Sequence, residues 1–247
     1  MTCDERFLDH RYAPGFARTL GIGGRRSSRL VFVITTVLSV IALLFAFPHQ
    51  KTASQTSYLV LVGDSITANW WSLTQAKDIL GMRVANRGRS GDFTDQMLTR
   101  FEQDVIQLHP RVVVILGGTN DILRGTSAAE IKPIERNLET MANLADKNGI
   151  RVVMATLPPN GGIDSVNAPS PRALSDRNKI KTLNDWIRAF AHRKDYGLAD
   201  YYGVLADDRG YYLKDASTDG IHPSARGYAL MEPTVREAVQ AAIHKSK

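Results

Sequence analysis

Two short segments, Gly63-Asp64-Ser65 and Asp219-Gly220-Ile221-His222-Pro223, hold the residue types of a nucleophile, a general base and an orienting carboxylate. A serine hydroxyl is a weak nucleophile at neutral pH unless an imidazole takes its proton. The imidazole works best when a carboxylate fixes its tautomer and balances its positive charge. Ser65, His222 and Asp219 are expected to fill these roles if the fold brings the segments together. Acyl transfer also needs donors aimed at the carbonyl oxygen, where negative charge develops. Gly88, in the run Asn86 to Asp92, offers a backbone N–H that a ligand can approach closely. Asn120, in the run Gly117 to Asp121, offers a side-chain amide. Taken singly, each has a plain structural reading: a serine after a strand caps a helix, and a glycine or asparagine in a turn serves backbone geometry.

Alternating elements must position these residues. Apolar runs rich in β-branched residues at Tyr58 to Val62, Met82 to Ala85, Arg111 to Leu116 and Ile150 to Ala155 read as strands, with a weaker candidate at Leu198 to Tyr201. Helical spacing occupies roughly 68 to 80, 94 to 108, 128 to 147, 173 to 194 and 224 to 243. This alternation predicts an α/β domain over residues 58 to 245: a three-layer α/β/α, doubly wound parallel sheet, covered on both faces. Ligands of such sheets bind beyond the carboxyl ends of the strands, where Ser65, Gly88 and Asn120 are all expected.

The N-terminal part has a different character. Leu30 to Phe47 is an uncharged run of 18 residues. As a helix it would reach about 27 Å, enough to cross a bilayer. Arg25, Arg26 and Arg29 precede it and only Lys51 follows nearby, so positive-inside bias predicts residues 1 to 29 as a cytoplasmic tail and the catalytic domain as periplasmic or extracellular. The run exceeds a usual signal-peptide core and no clear small-residue cleavage site follows it. An uncleaved transmembrane anchor is therefore favoured over secretion after cleavage. Residues 48 to 57 read as a polar linker.

The formal charge of +6 owes half its value to that tail, and no interleaved basic and aromatic run exists, which excludes nucleic acid as the expected partner. Cys3 is the only cysteine, so a cysteine-based metal site is ruled out. No histidine pair stands at helical metal spacing, and His109 and His192 read as solvated surface residues. Neither metal nor cofactor is expected. Ser90 falls in Gly88-Arg89-Ser90-Gly91, one residue short of the Gly-x-Ser-x-Gly elbow of the α/β-hydrolases. The turn after the first strand lacks the glycine-rich phosphate cradle of a flavodoxin-like cofactor binder.

Gly63-Asp64-Ser65, Gly88, Gly118-Thr119-Asn120-Asp121 and Asp219-x-x-His222-Pro223 stand in an order and spacing that resembles the SGNH hydrolases, the GDSL esterase/lipase family. The resemblance covers about residues 58 to 245. It implies the flavodoxin-like SGNH fold, Ser65 as nucleophile, His222 as base, Asp219 as its partner, and an oxyanion hole made by the Ser65 N–H, the Gly88 N–H and the Asn120 side chain. Pro223 would then open the last helix. Candidate substrate contacts are Asp64, Trp70 and Arg89: Trp70 and Trp71 could wall an acyl or sugar site, although the favoured reading is one core and one half-exposed ring, and Arg89 could attract an anionic group, although the favoured reading is a solvated loop charge. The 157 to 171 loop is expected on the same edge. The expected activity is cofactor-free hydrolysis of a small-molecule, glycan or lipid ester. Removal of acetyl groups from glycans is one task within that range; lysophospholipase, thioesterase and arylesterase activities are others, and a non-catalytic tethered binding domain is the alternative of a different class.

Overall fold

The computed structural model describes residues 58–70, 81–125, 130–161 and 171–244, the side chains of 171 and 172 excepted. The expected anchor at 30–47, its tail, the linker at 48–57, Trp71 and most of the 157–171 loop lie outside the described residues. Among the described residues, no helix is long and apolar enough to cross a membrane.

Five parallel strands form the sheet: β1 (Tyr58–Gly63), β2 (Arg83–Gly88), β3 (Val112–Leu116), β4 (Arg151–Ala155) and β5 (Gly197–Ala199), in the order β2-β1-β3-β4-β5. The order reverses at β1, which pairs with β2 on one side and β3 on the other, in register at Gly63 with Gly88 and with Leu116. That reversal opens a crevice at the carboxyl end of β1, where Ser65 begins helix α1 (Ser65–Ala68).

Continuous apolar strands make sense only when both sheet faces are covered, and here alternate residues divide between two cores. Leu59, Leu61, Val112, Val114 and Leu116 pack with Met231, Val235 and Val239 of the C-terminal helix. Val60, Val62, Val113, Ile115 and Met154 pack on the opposite face with Phe101, Leu138, Leu183 and Ile187. The helices supplying these residues are α2 (Thr94–Asp104), α4 (Ile131–Lys147), α5 (Pro171–Arg193) and α7 (Ala225–His244), joined by short helices α3 (Thr119–Arg124) and α6 (Tyr201–Leu205).

Several element boundaries differ from the sequence reading. β2 runs on to Gly88, so this glycine closes the strand instead of following it. The first helix runs Ser65–Ala68 with Asn69 as its C-cap, ending where the expected span of 68 to 80 begins; residues 71–80 lie outside the described residues. Helix α2 stops at Asp104, and a separate 3-10 turn covers Ile106–Leu108. Pro223 does not open α7, which begins at Ala225; it bridges to Ser217, while the Ser224 hydroxyl accepts from the Gly227 N–H at 3.2 Å. Serine can cap a helix by accepting a backbone N–H, which proline's side chain cannot do.

Candidate active site

The chain turns sharply after β1 because Asp64 caps α1. Its Oδ1 accepts from the Ile66 N–H at 2.9 Å, leaving Ser65 at the first helical position with its hydroxyl half-exposed. Tyr228 on α7 steadies this turn by donating its hydroxyl to the Ile66 carbonyl at 2.7 Å.

The partner loop is organised by Asp219. Its Oδ1 accepts from the N–H groups of Ile221 at 2.9 Å and His222 at 2.7 Å, while Oδ2 lies 2.6 Å from His222 Nδ1. Ser217 Oγ donates to the His222 carbonyl at 2.7 Å and accepts from Gly220 N–H at 3.0 Å; Tyr212 donates to the Ile221 carbonyl at 2.8 Å. On its outer side, the Gly161 N–H donates to the Gly220 carbonyl at 2.8 Å, joining the segment after β4 to this loop. The result is that His222 Nε2 stands 2.9 Å from Ser65 Oγ. A carboxylate only accepts, so Nδ1 carries the proton, Nε2 is the acceptor, and the Ser65 hydroxyl donates to it.

Electrostatics support that assignment. Burial raises the Asp219 carboxyl, but hydrogen bonds from His222 Nδ1 and the His222 and Ile221 N–H groups outweigh it and bring its pKa down to about 2. The carboxylate is therefore ionised wherever the imidazole works. Asp64 behaves oppositely: complete burial pushes its carboxyl up to about 6, against lowering by the Ile66 N–H and by His222. An unfolded aspartate titrates at 3.8, so between these values the folded chain holds a proton that the unfolded chain has released. Stability from this group therefore grows as the pH falls from 6 toward 3.8 and is lost as it rises again, a displacement worth about 3 kcal/mol. Asp64→Asn should gain on its parent by about that amount between pH 4 and pH 7, read from urea midpoints; parallel pH curves for the two proteins would refute this.

The oxyanion donors expected from sequence separate here. Asn120, in the first turn of α3, donates Nδ2 to the Asp92 carbonyl at 3.0 Å, which ties it to the loop after β2 and leaves its second N–H for a ligand. Gly88 does not fit the donor role: its N–H donates to Asn86 Oδ1 at 2.8 Å. Its glycine character has a packing cause instead, because a Cβ there would lie 2.2 Å from Ala68 N and 2.7 Å from Thr67 C. Asn86 completes the clamp by donating Nδ2 to the Thr67 carbonyl at 2.7 Å. Gly91, three residues on, has φ +88° and makes no hydrogen bond through its N–H among the described residues. The signal that separates the two was strand length, since β2 read through to Gly88 leaves Gly91 as the turn glycine.

A pair of substitutions distinguishes these glycines. Gly88→Ala drives a side chain into backbone and should lose about 3 kcal/mol or fail to fold. Gly91→Ala meets only the Arg124 guanidinium, at 3.2 Å, and should lose about 1–2 kcal/mol from its left-handed backbone. Urea unfolding of both checks this, and a Gly88→Ala protein as stable as the parent would contradict it.

Two of the three candidate substrate contacts are buried. Asp64 is 0% exposed and cannot touch a ligand. Trp70 is 2% exposed, its ring edge-on to Tyr201 at 5.6 Å and tilted on Tyr228 at 5.4 Å, so it is core. Arg89 is exposed, and its guanidinium pairs with Asp104 at 3.2 Å.

A doubly wound parallel sheet carrying a serine–imidazole–carboxylate relay at its switch point defines a hydrolase-type site. Residues 61–230 match the GDSL-like Lipase/Acylhydrolase family, and the chain belongs to that family of ester hydrolases. It is 36% identical to the esterase TesA of Pseudomonas aeruginosa over 126 residues, 46% of this chain and 60% of that protein, so it spans less than two thirds of that relative's length. It is 30% identical to an arylesterase of Vibrio mimicus, over 51% of this chain and 68% of the relative. Among solved structures, a GDSL-like lipase from Bacteroides thetaiotaomicron superposes with a TM-score of 0.65 at 29% identity, covering 83% of this chain and 97% of the other. An acetyl xylan esterase from Geobacillus stearothermophilus shares the fold, with a TM-score of 0.60 at 21% identity over 77% of this chain and 97% of its own.

Proposed function

We propose that this chain is a serine esterase that hydrolyses carboxylic esters through an acyl-enzyme, held at a membrane by residues 30–47 with its catalytic domain on the far side. One observation carries the chemistry: Ser65 Oγ, His222 Nε2, His222 Nδ1 and Asp219 Oδ2 stand in a relay with contacts of 2.9 and 2.6 Å. Ser65 Oγ attacks the ester carbonyl as its proton passes to His222 Nε2. Asp219 steadies the imidazolium, and that proton then goes to the departing alkoxide. A water attacks the acyl-serine as His222 Nε2 takes its proton; that proton passes to Ser65 Oγ as the acyl–Oγ bond breaks, and the acid leaves. Negative charge on the carbonyl oxygen in both tetrahedral intermediates is met by the N–H groups of Ser65 and Gly91 and by Asn120 Nδ2. Gly91 takes this part in place of Gly88 because its N–H is free and it adjoins Asp92, whose carbonyl holds Asn120.

Support for a short acyl group on a polar alcohol, as in an acetylated glycan, comes from the residues near Ser65. Asp219 is 49% exposed and Arg89 56%, and the guanidinium of exposed Arg124 lies beside Gly91. Charged surroundings favour a hydrophilic substrate over a long acyl tail. The test is hydrolysis of p-nitrophenyl acetate, butyrate and octanoate, and of an acetylated oligosaccharide, by the detergent-extracted full chain. Acetate is expected to be preferred; faster cleavage of octanoate would move the assignment to lipid esters. Support for the anchor is the uncharged run of 18 residues behind a cluster of arginines. Protease protection of the catalytic domain in sealed, right-side-out membranes but not in inverted ones would overturn the proposed orientation.

A further inference from the structure

Arg100 on α2 is remote in sequence from every residue of the relay, yet it is 7% exposed and its guanidinium reaches three separate parts of the site. Nη2 donates to the Gly63 carbonyl at 3.0 Å, at the end of β1 immediately before Asp64 and Ser65. Nη1 donates to the Arg87 carbonyl at 2.8 Å, at the end of β2, and to Asp104 Oδ2 at 2.7 Å. Nε donates to Asp92 Oδ2 at 2.7 Å, and the Asp92 carbonyl in turn accepts from Asn120. We propose that Arg100 is a positioning residue for catalysis, holding the nucleophile-bearing strand end in register with the loop that carries the oxyanion donors. This rests on the serine-esterase reading above.

At the end of β1 the Gly63 carbonyl takes the Arg89 N–H at 2.9 Å on one lone pair and Arg100 on the other, and the Arg87 carbonyl at the end of β2 takes the same guanidinium. A planar fork of five N–H groups can supply several donors at fixed angles, which a lysine cannot. Two carboxylates, Asp92 and Asp104, face Arg100, and Arg89 shares Asp104, so the buried charge is paired and its desolvation offset. Because the same guanidinium bonds Gly63, Arg87 and Asp92, displacing it releases Ser65 and the Gly91–Asp92 turn independently. Attack geometry tolerates little such freedom: a misplacement of about 1 Å lowers rate on the order of 100-fold.

A merely structural arginine predicts something different, and Asp104 supplies the control. Asp104 pairs with Arg100 one turn along the same helix and bonds to neither strand end. Arg100→Met, Arg100→Lys and Asp104→Asn are compared in the full-length chain, below the unfolding transition of each, with the parent and Ser65→Ala alongside. For p-nitrophenyl acetate, both Arg100 variants should lose kcat by about 100-fold with KM changed less than about three-fold. The rate at which a fluorophosphonate labels Ser65 should fall with kcat. Asp104→Asn should keep kcat within about three-fold although its unfolding midpoint drops. Should Arg100→Met fail to fold, Arg100→Lys decides, since it keeps the stem and charge but has one nitrogen. Arg100 variants that retain parental kcat, or that lose it no more than Asp104→Asn, overturn the positioning role while the esterase stands. A parent whose activity survives Ser65→Ala overturns the esterase reading, and the role of Arg100 with it.

Discussion

Ser65→Ala should lower ester hydrolysis by roughly 10⁴-fold or more while leaving the unfolding midpoint close to that of the parent. The loss is large because the reaction has no second nucleophile at that position. The effect on stability is small because the half-exposed hydroxyl makes one side-chain hydrogen bond, to His222, worth about 1 kcal/mol or less. His222→Ala should match it, and the double variant should be no worse than either single one, since the two residues act as a unit. Hydrolysis of p-nitrophenyl acetate by the full chain, with thermal unfolding recorded on the same preparations, checks each point. Activity above about one part in a hundred in Ser65→Ala would place the nucleophile elsewhere.

Asn120→Ala should lower kcat by about 10²- to 10³-fold with little change in KM. The amide is needed where charge develops, and the ground-state carbonyl gains less from it than the tetrahedral oxyanion does. Part of the loss is indirect: Asn120 also holds the Asp92 carbonyl at 3.0 Å, so its removal loosens the turn bearing Gly91. Asn120→Asp separates the two contributions from simple bulk. It keeps the size of the side chain but replaces a donor by acceptors facing both the Asp92 carbonyl and the oxyanion, so its kcat should be at or below that of Asn120→Ala. Steady-state kinetics on both variants decide the matter. A loss expressed mainly in KM would assign Asn120 to substrate binding instead of to the transition state.

The two families of substitutions, at the relay and at the oxyanion edge, depend on different parts of the chain, and the sequence exposed them unequally. Ser65, Asp219 and His222 were readable because their chemistry is local. Asp219 and His222 sit three positions apart, so one loop suffices to join them, and Ser65 directly follows a strand whose apolar run announces its end. The parallel sheet was readable for a related reason. Val60, Val62, Val113 and Ile115 face one core while Leu59, Leu61, Val112 and Val114 face another, and strands buried on both faces cannot hide polar residues.

Gly88, Trp70, Asp64 and Arg100 were not readable in that way, because their roles depend on which atoms lie opposite them. Gly88 and Gly91 are the same residue type in one short run. Only the packing of β2 against the backbone of Ala68, and the hydrogen bond from Gly88 to Asn86, separate a packing glycine from a free N–H. Trp70 and Asp64 lie close to the nucleophile in sequence, yet both, flanking helix α1, are buried, where one packs on tyrosines and the other caps the helix. Arg100 looks like any arginine on an amphipathic helix until the strand ends are brought beneath it.

Local pattern and hydrogen-bonding type were therefore enough to indicate the fold class and to single out Ser65, His222 and Asp219 as the candidate triad, because period, residue type and short spacing are properties of the chain itself. Which N–H groups are free, which side chains meet a ligand and which arginine holds the site together were decided by the tertiary structure, because each depends on distances of a few ångströms between residues that only the folded sheet makes neighbours.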